Sequence, residues 1–64
     1  MEKLSGLTER EREVLHAAAS GDTSNTIGRQ LGISHRTVQT HLQRVYAKLG
    51  VKGRIAALLL LRRP

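Results

Sequence analysis

The chain has 64 residues, no cysteine, no phenylalanine, no tryptophan and one tyrosine, Tyr46. A chain this short buries only about 60% of its unfolded surface, so it forms one domain at most, with a core of Leu, Ile, Val and Ala and no disulfide or thiolate–metal staple. The net charge is +6 and unevenly placed: residues 1–22 hold all five acids and three cations, whereas residues 23–64 hold eight cations and no acid.

The opening "MEKLSG" reads as an N-terminal tail or linker over residues 1–6, leaving residues 7–64 as the domain. A first helix is predicted over about 8–20. Thr8 and Glu11 have the S/T-x-x-E spacing of a capping box, with Leu7 at the staple position before it. Val14, Leu15 and Ala18 share a face with Leu7, and Gly21 ends the helix. Glu9, Glu11 and Glu13, interleaved with Arg10 and Arg12, read as surface plus capping.

A short second helix is predicted over about 24–31. Asp22, Thr23 or Ser24 can cap it, and Thr23 suits the register best. Ile27 and Leu31 stand i,i+4 on one face, and Gly32 is a natural left-handed stop. Ile33 plugs inward and Ser34 caps the next helix, so Gly32, Ile33 and Ser34 alone separate the two. That is the turn length of a helix-turn-helix. The third helix, about 35–49, is the longest, and Gly50 stops it. A fourth runs over about 53–62, "GRIAALLLLR". No stretch alternates with period two, so the expected fold is all-α, a four-helix helix-turn-helix domain.

The third helix has two unlike faces. With Val38 at 0° and about 100° per residue, Leu42, Val45, Tyr46 and Leu49 fall within one stripe roughly 100° wide. The opposite pole holds Arg36, Thr40, Gln43 and Ala47. Gln39 lies on one flank, and Thr37, His41, Arg44 and Lys48 lie on the other. An acid-free polar centre with a basic edge fits the major groove of B-DNA. Gln pairs with adenine N6 and N7, Arg with guanine O6 and N7, and a Thr methyl touches thymine. The flanking hydroxyls and cations suit phosphate oxygens, which fix orientation. A one-signed basic block likewise favours a polyanion (DNA, RNA or an anionic membrane), whereas charge placed for solubility mixes its signs. Any amphipathic helix has a polar side; the missing acids and the three-residue turn before it set this one apart.

Several segments together resemble the LuxR-type helix-turn-helix domain, which also serves as the output domain of NarL/FixJ response regulators. They are "LTEREREVL" (Leu7–Leu15), Gly21, Ile27, "LGIS" (Leu31–Ser34), "TVQTH" (Thr37–His41), "KLGV" (Lys48–Val51), and Arg54 with Ala57. The resemblance covers about Leu7 to Leu61. It implies base contacts from Gln39, Thr40 and Gln43, to which the helical wheel adds Arg36. It implies backbone contacts around Thr23, Thr37 and His41 and from basic residues late in the third helix; Ser24, Arg44 and Lys48 complete that expected set. It also implies dimerisation on DNA through the fourth helix. The chain departs from the family pattern at Gln39, where Lys is common, which shifts the expected base partner towards adenine. Thr23-Ser24 replaces the usual Ser-Asn, and Thr26-Ile27-Gly28 replaces Glu-Ile-Ala. A glycine inside a helix costs about 1 kcal/mol relative to alanine, unless it permits close packing, here against the third helix.

In the fourth helix Ile55 to Leu61 form an unbroken apolar run. The family register places Ala57, Leu58 and Leu61 against the core and leaves Ile55, Ala56, Leu59 and Leu60 outward. Three readings stand: scattered exposed leucines, a symmetric homodimer contact, and docking of another domain of the same chain. The response regulators of this family carry an N-terminal receiver domain, which nothing here resembles. The chain is thus either an excised DNA-binding domain or a single-domain regulator.

Catalysis has little support. His16, His35 and His41 form no i,i+4 pair, so neither a metal site nor a cofactor is expected, and no phosphate loop is present. His16 reads as a surface or boundary residue, and His41 as a phosphate ligand or a satisfied structural histidine. No apolar run approaches the roughly 18 residues of a membrane span, and "MEKLSG" lacks a signal-peptide core. The expected setting is cytoplasmic, with duplex DNA as partner and RNA polymerase as a further one. Two rivals remain. One is a sigma-factor-like promoter-recognition domain, against which "KLGV" and the fourth helix argue. The other is a membrane- or protein-docking module using "IAALLLLRR".

Overall fold

A computed structural model describes residues 6–62, which form α1 (Glu9–Ala19), α2 (Ser24–Leu31), α3 (His35–Leu49) and α4 (Arg54–Leu61). Residues 1–5 of the expected tail, and residues 63 and 64, lie outside the described residues. No strand occurs among the described residues.

α1, α2 and α3 start at side-chain caps, and α2 and α3 stop at left-handed glycines. Thr8 caps α1 through a complete capping box: its Oγ1 accepts from Glu11 N at 3.1 Å, and Glu11 Oε1 accepts from Thr8 N at 2.9 Å. Thr23 caps α2 and Ser34 caps α3, accepting from Thr26 N and Thr37 N respectively. Gly32 and Gly50 end α2 and α3 in the left-handed region, at φ 73° and 72°. Behind them Ile33 N reaches Gly28 O at 2.9 Å and Val51 N reaches Tyr46 O at 3.0 Å. These six-to-one bonds are Schellman closures that satisfy otherwise orphaned carbonyls.

The core forms two clusters. Val14, Ala18, Ile27, Val38 and Leu42 pack where α1, α2 and α3 meet. Leu7, Leu15, Val45, Leu49 and Ala57 pack beneath α4. Tyr46, partly buried, packs against both. The contact between Glu11 and Lys48 sets the first turn of α1 beside the end of α3. Each fully buried Leu, Ile or Val contributes about 1.5–3 kcal/mol, and in so small a chain these few side chains carry the fold.

Three expectations are corrected. Glu11 is not a surface residue: it is 3% exposed, and its carboxylate meets Lys48 Nζ at 2.8 Å. Leu60 packs against the core cluster and is not outward, whereas Leu58 lines the exposed side of α4 with Ile55, Leu59 and Arg62. The run Ile55–Leu61 is apolar throughout, so its sequence has no period from which to choose the buried face. Gly28 does permit close packing, but against the turn before α3. A Cβ there would lie 2.5 Å from Ile33 O and 3.3 Å from both Ser34 C and His35 N.

Candidate nucleic-acid interface

α3 is held by one face and presents the other. Val38, Leu42, Val45 and Leu49 are buried, while Arg36, Gln39, Thr40 and Gln43 are exposed and contiguous on the far side. Thr40 Oγ1 donates to Arg36 O at 3.1 Å. Its hydroxyl is thus turned to the backbone, leaving the methyl as its free end. The exposed face offers two carboxamides, a guanidinium and a methyl, and α3 contains no acid. This set can read base edges in a major groove.

The expected phosphate contacts divide. Arg44 and Thr37 are exposed on the flank of α3, and Thr37 Oγ1 shares a 2.9 Å hydrogen bond with the Ser34 cap. His41 is half-buried with Nδ1 enclosed, so any outward contact must use Nε2. Thr23 is exposed at the start of α2, and its hydroxyl donates to Thr26 Oγ1 at 3.1 Å. Ser24, half-buried beside it, faces a groove shared with Gln39 and Gln43. Lys48 is set apart from these residues, because its ammonium is committed to Glu11. The Glu11 carboxyl is held below its ordinary range, first by the Lys48 hydrogen bond and next by the Thr8 N–H, against an opposing push from burial. A cation already bonded to a buried anion adds little net charge to a DNA-facing surface.

Arg54 has a role that the sequence did not reveal. Its Nη2 donates to Ala18 O at 3.2 Å and to Asp22 O at 2.5 Å. It ties the start of α4 to the end of α1 and to the loop that places Thr23. Only the resemblance marked this arginine, because carbonyl acceptors 36 and 32 residues away leave no trace in residue type.

On α4, Ile55 is 76% and Leu59 61% exposed, Ala56 is exposed, and Leu60 is partly buried against the core. Among the described residues no helix is long and apolar enough to cross a membrane, and no group of three or more His, Cys, Asp or Glu side chains could hold a metal ion.

Comparison with known proteins agrees with this geometry. The profile of the bacterial regulatory proteins, luxR family, matches residues 5–61. A probable transcriptional regulatory protein SgaR of Hyphomicrobium methylovorum is 49% identical over 57 residues, which is 89% of this chain and 27% of that protein. The nitrate/nitrite response regulator protein NarP of Escherichia coli K12 is 44% identical over 54 residues, 84% of this chain and 25% of that protein. A probable transcriptional regulatory protein NarL of Mycobacterium tuberculosis is 49% identical over 51 residues, 80% of this chain and 24% of that protein. The chain thus spans about a quarter of the length of these curated relatives. With its three-residue turn between α2 and α3 and its acid-free exposed helix, the chain belongs to the LuxR family of bacterial regulatory proteins, as a helix-turn-helix DNA-binding domain.

Proposed function

We propose that this domain is the output module of a two-component response regulator, binding a specific duplex sequence in the cytoplasm as a homodimer. Gln39, Thr40, Gln43 and Arg36 read bases. Thr23, Ser24, Thr37, His41 and Arg44 hold phosphates. Lys48 is left out of that set, because its charge already serves Glu11. The observation that carries the reading is the exposed face of α3, which gathers the reading residues on one side of a helix without any acid. The likeness to the response regulator NarP supports a receiver domain as the upstream partner. Exposed Ile55 and Leu59, with Ala56, support self-association through α4, which fixes the spacing of two half-sites. RNA polymerase is the downstream partner. The family match favours this reading over a sigma-factor domain.

Selection of bound sites from random duplexes, at near-physiological salt, tests it. An enriched inverted repeat is the expected result. A pool that stays random would leave a non-specific binder and overturn the assignment of Gln39, Thr40, Gln43 and Arg36.

A further inference from the structure

A helix lying in the major groove has one phosphate strand along each of its flanks. On one flank of α3 the exposed Arg44 supplies a cation beside Thr37 and His41. On the Gln39 flank α3 itself supplies none. There the structure has an open groove of about 430 Å³, lined by Ser24, Gln39, Leu42, Gln43, Tyr46 and Arg54. α2, α3 and α4 each contribute to it. Leu42 is buried, and the other five lining residues are polar, with one cation and no carboxylate among them.

Arg54 is fixed in this groove. Its Nη2 is held by Ala18 O and Asp22 O, and Nε and Nη1 carry the remaining guanidinium donors. Two hydroxyls, two carboxamides and an anchored guanidinium make the donor set of a phosphate monoanion, with no protein acid among the lining residues to compete. Gln39 and Gln43 belong both to this groove and to the exposed face of α3. An anion seated here therefore lies beside a duplex held by that face.

We infer that the groove seats a backbone phosphodiester of the strand on the Gln39 side, bound by the hydroxyls of Ser24 and Tyr46 and the charge of Arg54. α4 then contributes directly to the DNA-contacting surface. The inference rests on the DNA-binding reading and extends it to Tyr46 and Arg54.

The test compares Ser24→Asp, Asn25→Asp and Tyr46→Phe with the wild type. Each binds its selected duplex and a random duplex over a range of salt. Ser24 and Asn25 are the first two residues of α2, where an added acid complements the helix dipole, so both variants retain the fold, as melting verifies. Only Ser24 lines the groove; Asn25 is exposed outside it. The expected result is that Ser24→Asp binds both duplexes about tenfold more weakly than Asn25→Asp, the scale of one lost hydrogen bond to a charged group. Its salt slope falls by about one. Tyr46→Phe keeps the ring and its packing, and weakens both duplexes at an unchanged melting temperature. Inorganic phosphate, at matched ionic strength, displaces duplex no better than chloride does.

Equal losses for the two aspartate variants, with Tyr46→Phe binding as the wild type does, would overturn the seat and leave the DNA reading standing. Displacement by inorganic phosphate from the wild type but not from Ser24→Asp would also overturn it, in favour of a free-anion site. A wild type that binds no duplex would remove the DNA reading, and the seat with it.

Discussion

Replacing Lys48 with methionine keeps the aliphatic stem and removes the ammonium that meets Glu11 Oε1 at 2.8 Å. The Glu11 side chain is 4% exposed, so its anion is left with the Thr8 N–H as a donor in a place that water scarcely reaches. Breaking a fully buried pair costs about 3–5 kcal/mol. The Lys48 side chain is 41% exposed, and solvent screens that end of the pair. A loss of about 2 kcal/mol follows, in the range of a hydrogen bond to a charged group. In a domain of this size that lowers the melting temperature by roughly 8–16 °C.

The pH dependence of this loss has a definite sign. The Glu11 carboxyl titrates below its ordinary value of 4.5 in the folded protein, chiefly through Lys48. Its contribution to stability is therefore present above about pH 4.5 and is lost as pH falls through the lower folded value. The gap between wild type and Lys48→Met is thus full at neutral pH and closes in acid. Urea unfolding followed by circular dichroism at several pH values measures this, with Glu11→Gln and the double variant completing a cycle. The salt slope of DNA binding should stay unchanged in Lys48→Met. If stability held and the slope dropped by one, Lys48 would be a phosphate ligand and the reasoning would fail.

Other substitutions have equally definite outcomes. Gly28→Ala should destabilise by about 1–3 kcal/mol in thermal unfolding, because its Cβ meets the backbone of the turn; helix propensity alone points the other way by about 1 kcal/mol. Gln43→Ala should cost about 1–3 kcal/mol at one base-pair position and relax preference there, whereas Arg44→Ala should weaken all duplexes alike and lower the salt slope by about one. A uniform loss after Gln43→Ala would take that residue off the reading face. Leu59→Asp should abolish self-association in sedimentation without lowering the melting temperature, since the side chain is 61% exposed; a dimer that survives it would use another surface.

The helices were legible in the sequence because their ends are local. Thr8 with Glu11, Thr23, Ser34, Gly32 and Gly50 each act within one turn, so residue type and spacing define them. The face of α3 was legible because its apolar residues keep helical period. What escaped was non-local or unpatterned. The Glu11–Lys48 pair joins residues 37 apart, and the Arg54 bonds end on carbonyls, which every residue carries. Leu58 and Leu60 exchanged places because Ile55–Leu61 contains no polar residue to mark the wet side. The demand for glycine at position 28 depends on the path of the turn before α3, which the helix pattern alone leaves undetermined.

The two-cluster core also bears on how the molecule breathes. α4 sinks a single fully buried side chain, Ala57, into the fold, with Leu60 and Leu61 partly covered and the Arg54 fork holding its first turn. α1, α2 and α3 share a cluster of their own that needs nothing from α4. Amide hydrogens of α4 should therefore exchange with solvent through a sub-global opening, well before those of α3. α4 and α3 then belong to separate cooperative units. A partner that clamps α4 would slow exchange there while leaving the protection of α3 as it was.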